Sequence, residues 1–150
     1  MSQKDITAKV AQEHIKLQGI MAELTQANGQ PPARGRDEWL ENLGRGFFKF
    51  RAHMVRRIAL EEMGGFHDHV LQARPNLARD IEHLRREHRD ILALIEEVQH
   101  CLKGLDPADL DALNQTRLRI GHVLSAVNHH AEHEDLLVSF VFTQDIGGES

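Results

Sequence analysis

The chain has 150 residues, enough for a single domain that buries roughly 70% of the surface its unfolded form would expose. Its 18 basic and 23 acidic residues leave a formal charge of -5 with histidine neutral, so there is no basic face to grip a phosphate backbone or an acidic lipid surface, and nucleic acid is excluded as a partner. Cys101 is the only cysteine, which rules out an intramolecular disulfide framework or a thiolate zinc cluster and points to a reducing cytoplasm. No apolar run approaches the roughly 20 residues of a membrane span, and no signal peptide is expected. The outlying count is histidine, at 11, against six Phe, one Trp and no Tyr.

Long helical patterns occupy the chain, separated by its prolines and most of its glycines, and nothing reads as a strand. The first helix is expected to follow Ser2, with Asp5 completing a capping box, and to end near Asn28-Gly29 before Pro31-Pro32. The second runs from about Asp37 to Met63, where Gly64-Gly65 interrupts it, with a short continuation through His69 to Leu71. The third starts around Pro75-Asn76 and ends at Lys103-Gly104, with Gly104 suited to a left-handed C-terminal position. Asp106-Pro107 offers an N-cap and a first-turn proline for the fourth, which continues to about Phe142. Helices of about 25 to 35 residues, roughly 40 to 50 Å long, joined by short connections, predict an all-α, up-down-up-down four-helix bundle comprising residues 1–150 as one domain.

Sorting the histidines by helix face separates core positions from surface ones. His14 falls in the stripe Val10, Leu17, Met21 and Leu24, and His88 in the stripe Ile81, Leu84, Ile91, Ile95 and Val98. His130 and Glu134 lie one turn apart on the seam of Ile120, Val123, Val127, Leu137 and Val141. On the second helix the stripe Leu40, Leu43, Phe47, Phe50, Met54 and Ile58 ends in Glu61. His53 is rotated roughly 100° from the centre of that stripe on ideal geometry and is not expected to join the site. His83 sits on a charged face with Arg79, Asp80, Arg86 and Glu87, and His122, His129 and His133 share another polar face, so these read as surface. His100 carries no signal, and His67 and His69 follow the glycine pair in an unassigned segment.

The core candidates are therefore His14, Glu61, His88, His130 and Glu134, drawn from all the long helices. A single buried histidine is more often a hydrogen-bonded core residue than a ligand. Several converging ionisable groups are harder to explain that way, because a buried carboxylate without a partner costs several kcal/mol, a penalty that one metal ion removes for many groups together. Imidazole and carboxylate without thiolate suit iron, manganese or zinc.

These residues resemble the motifs of the hemerythrin-like, or HHE cation-binding, family. The matching segments are Glu13-His14, Glu61-Glu62-Met63-Gly64-Gly65-Phe66, Arg74-Pro75-Asn76-Leu77 leading into Glu87-His88, and His130 to Glu134, with a family-like tail at Asp145-Ile146-Gly147-Gly148. The resemblance implies a four-helix bundle holding a non-haem, usually di-iron, centre that binds or senses dioxygen, nitric oxide or redox state. In that scheme His88 and His130 serve one iron, His14 the other, and Glu61 and Glu134 bridge or cap. The chain departs from the family where a histidine is usual four residues before Glu61: the residue there is Arg57. At ~5 Å and an effective dielectric of about 20, its charge contributes on the order of 3 kcal/mol, enough to disfavour a nearby ion or to pair with Glu61. His53, His67 and His69 are the substitutes within reach if the helix rewinds locally, and Glu134 is preferred to Asp135 because it stays on the apolar stripe.

Two further readings stand beside a metal-binding sensor of small diatomic ligands. One is a degenerate family member in which Arg57 pairs with Glu61 and the bundle acts as an interaction module. The other is an oxidase or peroxidase, for which the sequence supplies neither a proton-donor motif nor a channel motif, and nucleophile elbows, phosphate loops and cysteine redox pairs are absent. The surface histidines leave homo-oligomer formation open.

Overall fold

A computed structural model describes residues 3–148, with side chains described at position 5 and over 8–139. These residues form α1 (Gln3–Ala27), α2 (Arg36–Met63), the short α3 (Phe66–Ala73), α4 (Ala78–Lys103) and α5 (Leu110–Gly148), with a 3₁₀ turn at Pro75–Leu77 leading into α4 and no strand among them.

Side-chain contacts fix the order of the long helices. Lys49 reaches Glu23 and His53 approaches Glu13, so α2 runs antiparallel to α1. Arg51 pairs with Glu96 and His88 approaches Glu61, which sets α4 antiparallel to α2. Arg119 meets Glu97 and His130 meets Glu87, which sets α5 antiparallel to α4. The ring closes between α1 and α5. Arg117 donates to the Asn28 carbonyl while the Asn28 amide donates back to the Arg117 carbonyl, and His14 faces Asp135 at the other end. The architecture is the up-down-up-down bundle that the helix lengths predict.

Apolar periodicity builds the interior. On α4, Ile81, Leu84, Ile91, Ile95 and Val98 recur at three- and four-residue steps and are all buried. They contribute to two apolar clusters. The larger includes Leu17, Phe47, Phe50, Met54, Ile95, Val123 and Val127, and the smaller Val10, Phe66, Val70, Ile81, Leu84 and Leu137. Between them along α2, α4 and α5 lie Arg57, Glu61, His88, His130 and Glu134, a polar layer inside a largely apolar core.

Several local expectations need correction. Gly64-Gly65 interrupts α2 after Met63 as expected, but the short stretch beyond it is a separate helix, α3, that runs to Ala73 rather than Leu71. Gly64 donates to the Leu60 carbonyl at 3.0 Å, and a Cβ there would run into the same oxygen. Gly65 takes φ +96°, which favours glycine, and the chain turns so that α3 packs Phe66, His67 and Val70 into the bundle end. Gly104 is not left-handed: its φ is -114°. Asp106 does not cap α5, because its carboxylate closes a local turn onto the Ala108 amide, and the capping side chain is Asp109, which accepts from the Ala112 amide at 3.1 Å. α5 also continues past Phe142 to Gly148. The Ser2 cap lies outside the described residues, as do the side chains of Val141 and of the Asp145–Gly148 tail.

Substitution of Gly64 by Ala is expected to destabilise the fold by about 1–3 kcal/mol, since the backbone must shift to relieve the clash. Gly19→Ala, in open space on α1, should instead stabilise by up to ~1 kcal/mol. Urea denaturation of both variants checks the contrast.

Candidate metal centre

The polar layer is assembled by helical repeat. Arg57 and Glu61 are one turn apart on α2, His130 and Glu134 one turn apart on α5, and His88 projects from α4 between them. None of the five is more than 4% exposed. Arg57 points inward and joins the two carboxylates: its Nε donates to Glu61 Oε1 at 2.9 Å and its Nη2 to Glu134 Oε1 at 3.1 Å. A planar guanidinium can hold both because its donors form a fixed fork.

That arrangement leaves the other carboxylate oxygens free to face the imidazoles. Glu61 Oε2 lies 2.8 Å from His88 Nε2, and Glu134 Oε2 lies 3.1 Å from His130 Nε2. These four buried atoms meet only one another, without well-formed hydrogen bonds to any other group. Glu61, His88, His130 and Glu134 each offer one ligand atom, all within 4.8 Å of one another. Buried polar atoms are normally well hydrogen-bonded, so four ligand atoms that meet only one another constitute a cradle for a cation. Two imidazoles and two carboxylates suit a divalent first-row ion, and the residues present therefore fit the metal that the sequence pattern implies.

The electrostatics are consistent with that fit. Burial and the Glu134 charge push the Glu61 carboxyl well above its usual range against the pull of Arg57. For Glu134, burial acts upward but is outweighed by His130, Glu61 and Arg57, which hold it well below the usual range. The two carboxyls are thus pushed in opposite directions, as expected of two acids forced together. Burial depresses His88, whereas for His130 burial is overcome by Glu134 and Glu87, which raise it.

The surrounding residues hold the cradle in shape. Glu87 Oε1 lies 2.9 Å from His130 Nδ1, which fixes the ring and directs Nε2 inward. Glu62 Oε1 is 3.5 Å from His88 Nδ1 and plays a looser version of that role. His67 is fully buried and stacks on His88 with ring centroids 5.7 Å apart and planes inclined by 10°. Arg85 Nε donates to His67 Nδ1 at 3.3 Å.

Of the residues singled out from sequence, Glu61, His88, His130 and Glu134 come together and His14 does not. His14 sits near the middle of α1 with its side chain 26% exposed, and its Nε2 lies 3.6 Å from Asp135 Oδ2. Glu134 faces the cluster, while Asp135 points outward to meet His14. His53, placed off the core stripe by ideal geometry, is buried, with Nε2 3.7 Å from Glu13 Oε2. α2 packs against both α1 and α4, so its buried arc is wider than one stripe. His67, named from the sequence as a possible substitute ligand, stacks on His88 instead, while the supporting roles of Glu62 and Glu87 and the second carboxylate on Arg57 were not expected from the sequence. Only Glu87 left a usable signal, as a carboxylate beside the core position His88.

His67 gives the metal-free protein a pH dependence. Burial, then His88 and Arg85, depress its pKa from 6.5 to about 4. The unfolded chain takes up this proton near pH 6.5 and the folded chain only near 4, so between these values the unfolded state binds more protons. Stability is therefore fully present above 6.5 and is lost as pH falls toward 4, by on the order of 3 kcal/mol at most. Urea unfolding of the metal-free protein across that window should show the loss, and His67→Gln should have a shallower slope; equal slopes would remove His67 as the cause.

A family model, the hemerythrin HHE cation-binding domain, matches residues 5–139. No curated protein and no solved structure matches the chain. The matched span takes in most of each long helix and every residue of the cluster, and the chain belongs to the hemerythrin HHE cation-binding family.

Proposed function

We propose that this chain binds one first-row metal ion, iron in the leading reading, between Glu61, His88, His130 and Glu134, and uses it to bind or sense dioxygen or another small diatomic ligand. The observation that carries the reading is the set of four buried ligand atoms, one on each of these residues, all within 4.8 Å of one another. Family membership supports a cation as the occupant.

Arg57 supports a single ion over a pair. A second ion beside Glu61 and Glu134 would meet a guanidinium already bonded to the outer oxygens of both carboxylates. Its positive charge stands in for a second metal, so the geometry favours a mononuclear centre over a di-iron one. His14, on the far side toward Asp135, is then not a ligand of the ion.

The residues divide the work by chemistry. Glu61 and Glu134 supply charge, and His88 and His130 supply neutral nitrogen. Arg57 fixes the carboxylates, Glu87 holds the His130 tautomer, and the apolar residues on either side exclude water. An iron or manganese ion would supply Lewis acidity and one-electron redox chemistry, which is what recognition of a diatomic ligand requires.

A second reading draws on the same guanidinium. If Arg57 satisfies the carboxylates well enough, no ion binds and the bundle is a structural or interaction module. Metal analysis separates the two. The mononuclear reading expects about one equivalent of transition metal in the purified or reconstituted protein and about two in Arg57→His, with an optical spectrum that responds to dioxygen or nitric oxide. A parent that binds none while Arg57→His gains an ion supports the module instead.

Metal uptake should also release protons, because Glu61 and His130 both hold theirs more tightly than usual in the metal-free protein and must lose them to become ligands. Apparent affinity is therefore expected to rise with pH, and calorimetry in buffers of different ionisation enthalpy measures the release. Affinity independent of pH would count against Glu61 as a ligand.

A further inference from the structure

Outside the polar layer, His83, Glu87 and His133 form a second group whose ligand atoms all lie within 4.8 Å of one another. His83 and Glu87 are one turn apart on α4, and His133 comes from α5. Glu87 Oε1 is taken up on the inner side, 2.9 Å from His130 Nδ1 and 3.3 Å from His133 Nδ1. Glu87 Oε2 faces outward, 3.8 Å from His83 Nε2, too far for a hydrogen bond. The His83 and His133 rings lean toward each other with centroids 5.3 Å apart.

We propose that His83, Glu87 and His133 form an outer site for a zinc-class divalent cation, separate from the core centre. Two imidazoles and one carboxylate, with water completing the shell, are a recurrent zinc donor set. Donors bound to one ion at ~2.0–2.2 Å lie roughly 3–3.6 Å apart, so the 3.8 Å gap closes with a small rotation of His83. The His83 side chain is 59% exposed, which leaves it free to make that rotation and puts the site within reach of ions in solution. Anchoring on the other side is firmer, because Glu87 and His133 are partly buried between α4 and α5. The sequence assigns both histidines to solvated faces; the antiparallel packing of α4 on α5 brings them to one carboxylate.

The outer site does not depend on the core centre being occupied, and a test by difference keeps the two apart. Equilibrium dialysis against Zn²⁺ at neutral pH compares the parent with His83→Ala, His133→Ala and, as an exposed control on α4, His100→Ala. His83→Ala and His133→Ala are expected to lose about one equivalent of zinc, or to bind it at least about tenfold more weakly, while His100→Ala retains it. Because His83 is largely exposed, its variant folds even if His133→Ala does not and can carry the result alone. Unchanged zinc binding in His83→Ala, or an equal loss in His100→Ala, would overturn the assignment. A failed core centre would instead appear as the same deficit in the parent and every variant.

Discussion

The two-carboxylate grip of Arg57 is the constraint around which this bundle is organised. Removing a guanidinium and two carboxyl groups from water costs several kcal/mol per ion, and their attraction repays that cost only when geometry is close to ideal. The geometry here comes from three sources: the one-turn spacing of Arg57 and Glu61 on α2, the fork of the guanidinium, and the packing that carries Glu134 on α5 to within 3.1 Å. By occupying the outer oxygens, Arg57 turns the inner ones toward the imidazoles of His88 and His130. The same contact that stabilises the fold therefore shapes the cation cradle.

The two apolar clusters make this electrostatic arrangement effective. Leu84 and Ile91 lie one turn either side of His88 on α4, and Val127 and Leu137 bracket the pair on α5, so the polar layer is closed from both directions. In so dry a place charges interact more strongly than in water and unpartnered donors are costly. The same burial raises Glu61 and depresses His67. α3 contributes by lying across the end of the layer and pressing His67 onto His88, a placement that depends on the turn at Gly64 and Gly65.

Glu87 links the interior to the surface. One carboxylate oxygen orients His130 and the other looks outward to His83, so a single side chain on α4 shapes both the core cradle and the outer group. Helix α4 presents His88 inward and Glu87 about 100° around, at the seam with α5. Adjacent residues on one helix thereby serve two different environments.

Sequence alone determined the elements and most of the core. The three- and four-residue spacing of apolar side chains encodes helix and buried face together, so the four long helices, their antiparallel order and the core positions of Glu61, His88, His130 and Glu134 follow from local pattern. It also marked Arg57 as the residue out of place. Only the tertiary structure decided which way Arg57 points, that it bonds to Glu134 as well as Glu61, that His14 stands apart and that His53 is buried. Helical periodicity reports direction around one axis. It does not report how wide an arc the neighbouring helices cover, nor which residues on different helices meet at the same height, and those are properties of packing between elements far apart in sequence.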